Sequence, residues 1–190
     1  MQTPELQSFN LVGGTALALK YGHRSSIDLD LFSTKEFEHQ PIIEVLQKTF
    51  GKLFAFEGAF SKWGIFCFID DVKIDLLHYP HPMLHPAELL GTIRMYHDSD
   101  LIAMKIQAIL GRGRKKDFWD IAELLEHYDL SQMIDFHRAK YPSQMLLISI
   151  PQALVYFKDA ENSDEPISFK GQTWDMIKES IQEKVRNFLK

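Results

Sequence analysis

Along the first half of the chain, apolar residues come in short runs and strict alternations. Leu11-Val12 is a brief apolar run that predicts a buried strand, and Gly13-Gly14 directly after it allows the backbone to turn sharply. Thr15 to Tyr21 (TALALKY) is composed largely of helix formers and is stopped by Gly22. Ile27-Asp28-Leu29-Asp30-Leu31 then alternates with period two, which predicts a strand carrying apolar side chains on one face and Asp28 and Asp30 on the other. Ile42 to Phe50 fits a helix with Pro41 at its start. Residues 53–56, 65–69 and 72–79 read as three strands, the last two joined by a tight turn at Asp70-Asp71, and Ile93 to His97 reads as a short strand. From residue 98 onward the spacing becomes helical, over 101–110, 117–125, 130–141, 143–157 and 174–189, with a polar loop at 158–166. The expected class is α/β (α+β): a mixed sheet with flanking helices in an N-terminal lobe, residues 1–97, and a helical lobe, residues 98–190, with a cleft between them.

Composition narrows the function classes. The chain has 190 residues, 45% of them hydrophobic, enough for a substantial core. A formal net charge of −5 argues against nucleic-acid binding across the whole surface and leaves room for a local basic groove. The single cysteine, Cys67, sits in the apolar run Ile65 to Ile69 and reads as a small core residue in a reducing compartment. No signal-peptide pattern and no apolar run of membrane-spanning length occurs, so a cytoplasmic protein with no membrane partner is expected. His78, His81 and His85 lie among Pro80, Pro82 and Pro86, which force an extended, kinked path without regular ligand geometry, so a surface crossover is expected there.

The candidate chemistry lies between Phe9 and Phe32. A helix opening out of a glycine turn points its free N–H groups and positive dipole end at the turn, where phosphate binds well. Asp28 and Asp30, about 6–7 Å apart along one strand face, can converge on one or two divalent cations, for which Mg²⁺ has the right preference for oxygen ligands. Asp75 alternates with Val72, Ile74 and Leu76, so it is either part of a solvated edge or a third functional carboxylate. Lys105 lies in the strongly apolar helix 101–110, where a lysine is costly unless it snorkels to solvent or meets an anion. After it, the basic turn Gly111 to Lys116 leads into a helix that starts with Asp117 and Asp120, positions the helix dipole favours.

GGTALALKYGHRSSIDLDLF resembles the nucleotidyltransferase superfamily, whose pattern is a glycine-led turn followed by Asp-x-Asp, and most closely the AbiE-type (AbiEii/AbiGii) abortive-infection toxins. Asp100, Lys105, Arg112, Lys116-Asp117 and Asp120 match a second motif of that family, so the resemblance covers nearly the whole chain. It implies transfer of a nucleoside monophosphate from an NTP to a hydroxyl, with Mg²⁺ or Mn²⁺ held by Asp28, Asp30 and Asp75, the last serving as metal ligand, as general base, or as both. It further implies phosphate contacts from Gly13, Gly14, Thr15 or Ser26, with Lys105 on the triphosphate, Arg112 and Lys116 near phosphates or acceptor, and Asp117 organising those bases. The implied role is the toxin of a type IV pair with an antitoxin encoded nearby, acting on a tRNA 3′ end or a protein acceptor. Alternatives are an antibiotic- or protein-modifying nucleotidyltransferase and a silent nucleotide-binding module. The chain departs from many superfamily members in having Thr15 where they have serine after the glycines, and in the longer insert Gly22 to Ser26, in which His23 and Arg24 have no assigned role.

Overall fold

The computed structural model describes residue 1, residues 3–56 and residues 63–190. The polar lead-in Met1 to Ser8 makes one 3-10 turn at Pro4–Leu6, and Gln2 within it lies outside the described residues. Strand β1 (Asn10–Val12) is buried throughout, and helix α1 (Gly13–Tyr21) starts with no gap after it. Gly22, at φ 59°, ends α1 in the left-handed conformation that glycine adopts without steric cost. Strand β2 (Leu29–Ser33) follows, then α2 (His39–Phe50), β3 (Phe54–Ala55), β4 (Gly64–Ile69) and β5 (Val72–His78). Asp70 and Asp71, at φ 49° and 63°, form the expected tight turn between β4 and β5, both residues tolerating the left-handed region as Asp often does. Strands β6 (Glu88–Leu90) and β7 (Ile93–Met95) form a hairpin of which only the second strand was legible, because Glu88-Leu89-Leu90 carries no alternation.

The seven strands form one mixed sheet in the order β3-β4-β5-β2-β1-β7-β6, as the expected fold class requires. Strands β1 and β2 run antiparallel, whereas β2–β5 and β1–β7 are parallel pairs. Two corrections to the expected elements have plain causes. The strand expected at 27–31 begins at Leu29, since Ile27 is solvent-exposed and finds no apolar face to join. The helix expected over 143–157 is confined to α6 (Ile150–Leu154): Ser149 caps it and Pro151 fits only a first helical turn, so the chain before it cannot be helical.

Helices α3 (Asp98–Gly111), α4 (Lys115–Leu124), α5 (Leu130–Lys140), α6 and α7 (Trp174–Phe188) complete the fold. Phe118, Trp119, Phe157 and Trp174 pack where α4, α6 and α7 meet, with the two indoles stacked at 5.8 Å. Asp100 and Lys140, both fully buried, pair at 2.6 Å between α3 and α5. Asp100 also accepts the backbone N–H of Leu84, so this ion pair anchors the proline-rich crossover after β5. No helix among the described residues is long and apolar enough to cross a membrane.

His137 on α5 is buried and its pKa is lowered to about 4 from 6.5, because burial penalises the imidazolium. Between those two values the unfolded chain binds a proton that the native chain does not, so stability rises with pH across that window. We expect the urea midpoint to fall as pH drops from 6.5 toward 4, with a flatter slope in His137→Gln.

Candidate active site

The two glycines after β1 are required by what lies against them. Gly13 sits at φ 71°, and a Cβ there would stand 2.5 Å from Asp30 Oδ2, so only glycine lets that carboxylate approach the opening of α1. At Gly14 a Cβ would stand 2.3 Å from Arg24 Nη2. The Arg24 guanidinium is held in place: Nε and Nη2 bind the two oxygens of Asp120 at 2.7 and 2.8 Å, with the side chain almost wholly buried. We therefore expect Gly14→Ala to lower the melting temperature by roughly 4–12 °C, corresponding to about 2–3 kcal/mol, since the added methyl displaces a buried, paired charge. Gly111→Ala, which meets nothing within 4 Å, serves as the control and should stay within about 1 kcal/mol of the parent.

Asp120 is the hub behind the site. It accepts from His23 Nε2 at 2.8 Å, from Arg24 twice, and from Lys105 Nζ at 2.7 Å. Lys105 also bonds Asp117 Oδ1 at 2.9 Å, while Asp117 Oδ2 accepts the backbone N–H of Arg114 and so caps α4. Burial works against the charge of Lys105, yet Asp120 and Asp117 outweigh it and hold its pKa above the usual value. Asp120 is likewise buried, and Lys105, His23 and Arg24 push its pKa well below the carboxylate range. The anion that a buried Lys105 requires is thus the protein's own carboxylate pair, which removes snorkelling as its explanation. His23 and Arg24, without a role in the sequence, are the partners of Asp120. Their insert is held by a bridge to residues 167–169, with Ser25 N donating to Ile167 O and Phe169 N to His23 O, a pairing too distant in sequence to foresee.

Asp30 and Asp75 lie side by side. The parallel pairing of β2 with β5 places them in register, about 4.8 Å apart at the backbone. Burial and then the neighbouring Asp75 raise the pKa of Asp30. Lys73 Nζ meets Asp75 Oδ2 at 2.5 Å, whereas Asp75 Oδ1 is buried with no hydrogen-bond partner among the described residues. Two adjacent carboxylates, one holding an orphaned oxygen, fit a divalent cation, and hard oxygen donors suit magnesium or manganese. Asp28 lies one residue before β2 and lines the same cavity as Asp30. Among the described residues no three His, Cys, Asp or Glu side chains converge as a ready-made metal cage, so the structure brings Asp30 and Asp75 together and leaves Asp28 beside them.

A cavity of about 210 Å³ opens over Asp28 and Asp30, walled also by Gly13, Gly14, Thr15, Ser26, Lys105, Arg112, Lys116 and Asp117 among others, while Asp75, beside Asp30 on the neighbouring strand, is not on that wall. Thr15 Oγ1 donates to the Asp28 carbonyl, and Ser26 Oγ lies 2.8 Å from Thr15 Oγ1. With the Thr15 hydrogen committed, Ser26 donates to Thr15 Oγ1, so Ser26 can donate to a ligand only by giving up that bond. Two further cavities adjoin, one of about 840 Å³ reaching the acidic loop Asp159 to Glu165 and one of about 330 Å³ toward Tyr79 and Tyr141, and Arg112 borders all three.

A family model described as "Nucleotidyl transferase AbiEii toxin, Type IV TA system" matches residues 1–188. The chain belongs to the AbiEii nucleotidyltransferase toxin family. An uncharacterized protein of Aquifex aeolicus (strain VF5) is 32% identical over 187 residues, covering 95% of this chain and 88% of that protein. The fold is similar to that of a putative nucleotidyltransferase from H. pylori, with a TM-score of 0.60 and 17% identity over 95% of this chain and 85% of that one. It is also similar to MenT4, a nucleotidyltransferase toxin of Mycobacterium tuberculosis H37Rv, with a TM-score of 0.61 and 13% identity over 93% and 74% of the two chains. As an AbiEii member the protein is a nucleotidyltransferase.

Proposed function

We propose that this AbiEii protein transfers a nucleoside monophosphate from an NTP to a hydroxyl acceptor with the aid of Mg²⁺ or Mn²⁺, and that it is the toxin of a type IV toxin–antitoxin pair. The observation that carries the proposal is the in-register pair Asp30–Asp75, with its orphaned Asp75 oxygen, set against the opening of α1. A divalent cation bound there supplies charge neutralisation for the triphosphate and lowers the pKa of the acceptor hydroxyl.

The chain's own groups supply the rest. The first N–H groups of α1, which no side chain caps, receive phosphate oxygens at Gly13 to Thr15, with Ser26 giving up its bond to Thr15 to join them. Arg112 and Lys116, both on the cavity wall, neutralise the β- and γ-phosphates. Lys105 adds positive potential while tied to Asp117 and Asp120; it therefore acts as a fixed charge in place of the free phosphate ligand expected from the sequence. Asp75 takes the proton as the acceptor oxygen attacks the α-phosphorus, and pyrophosphate leaves toward the basic wall. Residues 1–97 and 98–190 both contribute to the cavity wall, which supports a reading of two lobes sharing one cleft. The acceptor is the 3′ end of a tRNA or a protein side chain.

Induction in a bacterial host tests the toxin role. Wild-type expression should arrest growth and Asp75→Ala, matched for soluble protein, should restore it. Normal growth on wild-type induction would count against a toxin.

A further inference from the structure

Beyond the carboxylates, the same face of the sheet turns from polar to aromatic within two residues. Phe32 follows Asp30 on its side of β2, and Leu77 follows Asp75 on β5 in register with it. Phe32 packs against Tyr79 with ring centroids 5.0 Å apart. The Tyr79 hydroxyl is hydrogen-bonded to that of Tyr141, and Lys140, fixed by Asp100, lies 5.6 Å over the Tyr79 ring. These rings, with Met104, Ala108 and Gln107 of α3, line the shallow, open depression of about 330 Å³. Gln107 is the polar group among them apart from Arg112 and the tyrosine hydroxyls. His137 Nε2 stands 3.1 Å from its Oε1, a contact in which a ring N–H donates to the amide carbonyl, and this leaves the amide N–H₂ of a residue on the cavity wall to donate elsewhere. The neutral state of His137 leaves one ring hydrogen, which this contact uses.

We propose that this aromatic cavity holds the base of the incoming NTP, stacked on Phe32 and Tyr79, and that the Gln107 amide reads an acceptor atom on the base edge. The inference rests on the nucleotidyltransferase reading and deepens it. Continuity supports this occupant: Phe32, Met104, Ala108 and Arg112 are shared with the cavity that contains the glycine turn and Asp30. Asp30 and Phe32 are about 6.6 Å apart along the strand, a step that one ribose bridges between an α-phosphate and its base. Stacking on an aromatic face is tolerant of the base, whereas the amide donor discriminates: it favours bases presenting a carbonyl or bare ring nitrogen at that edge over those presenting an amino group.

Calorimetric titration in Mg²⁺ with each of the four NTPs and with inorganic tripolyphosphate tests the assignment. Phe32→Leu keeps the apolar bulk and removes the ring, and its melting temperature reports whether the fold is kept. We expect it to weaken NTP binding about ten- to a hundredfold while tripolyphosphate binds as in the wild type. Gln107→Glu, which exchanges donor for acceptor, should change the order of preference among the four NTPs. An unchanged ratio of NTP to tripolyphosphate affinity in Phe32→Leu, with the wild type binding both, would overturn the base site alone. A wild type that binds neither would overturn the nucleotide-transfer reading together with it.

Discussion

Asp30→Asn should abolish nucleotidyl transfer, by about a thousandfold or more, and leave the protein at least as stable as the parent. Burial and Asp75 raise the pKa of Asp30, so at neutral pH its ionised form opposes folding. Asparagine has nearly the same shape, retains one oxygen against the glycine turn and removes the repulsion. Stability should therefore rise while activity disappears, the pattern of a residue kept for function at a cost to the fold. Asp75→Asn should match it in activity, since the orphaned Oδ1 would no longer carry charge for a cation or accept the acceptor's proton. Transfer rates with Mg²⁺, compared with melting temperatures measured without metal, separate the two effects. Activity within tenfold of the parent in Asp30→Asn would remove it from the reacting centre.

The second large effect is in stability. Asp120→Ala should cost about 3–5 kcal/mol, a fall of roughly 6–20 °C in melting temperature, because it strands the Arg24 and Lys105 charges in a buried site with Asp117 as the remaining carboxylate. Asp120 is not on the cavity wall, so its contribution to activity passes through Arg24 and Lys105. Its pH dependence follows in sign from its depressed pKa: the stabilisation is complete above the ordinary carboxylate range and is lost as pH falls below it. A circular-dichroism melt at neutral pH within 2 °C of the parent would contradict this role. Lys105→Met should also destabilise, since it leaves Asp117 and Asp120 unpaired by it, in contrast to a lysine waiting unpaired for nucleotide.

Which parts of this arrangement were legible in the sequence depends on how far apart the interacting residues are. The glycine turn, its helix and the β4–β5 hairpin are local, and turn chemistry with period-two alternation marks each of them. The pairing of Asp30 with Asp75 was implied by family resemblance, and the β2–β5 register provides its physical form. Asp120 read as a structural acid at a helix start, which understated it, because His23, Arg24 and Lys105 reach it from elements that no periodicity connects. The exposed run Met145 to Ile148 mimicked a helix by composition, and Ser149 with Pro151 set the real start at Ile150, seven residues after the expected one. The aromatic wall at Phe32, Tyr79 and Tyr141 depends on a crossover held by Asp100 and Lys140, a pair separated by forty positions and invisible to local patterns.

The most direct measurement of the central claim is incubation of the purified protein with each α-labelled NTP, Mg²⁺, and total RNA or total protein from a bacterial host. Label should pass to one of the two fractions with release of pyrophosphate, in the wild type and not in a folded Asp30→Asn protein. No label transferred from any NTP, or equal labelling by Asp30→Asn, would contradict a nucleotidyl-transfer centre built on Asp30 and Asp75.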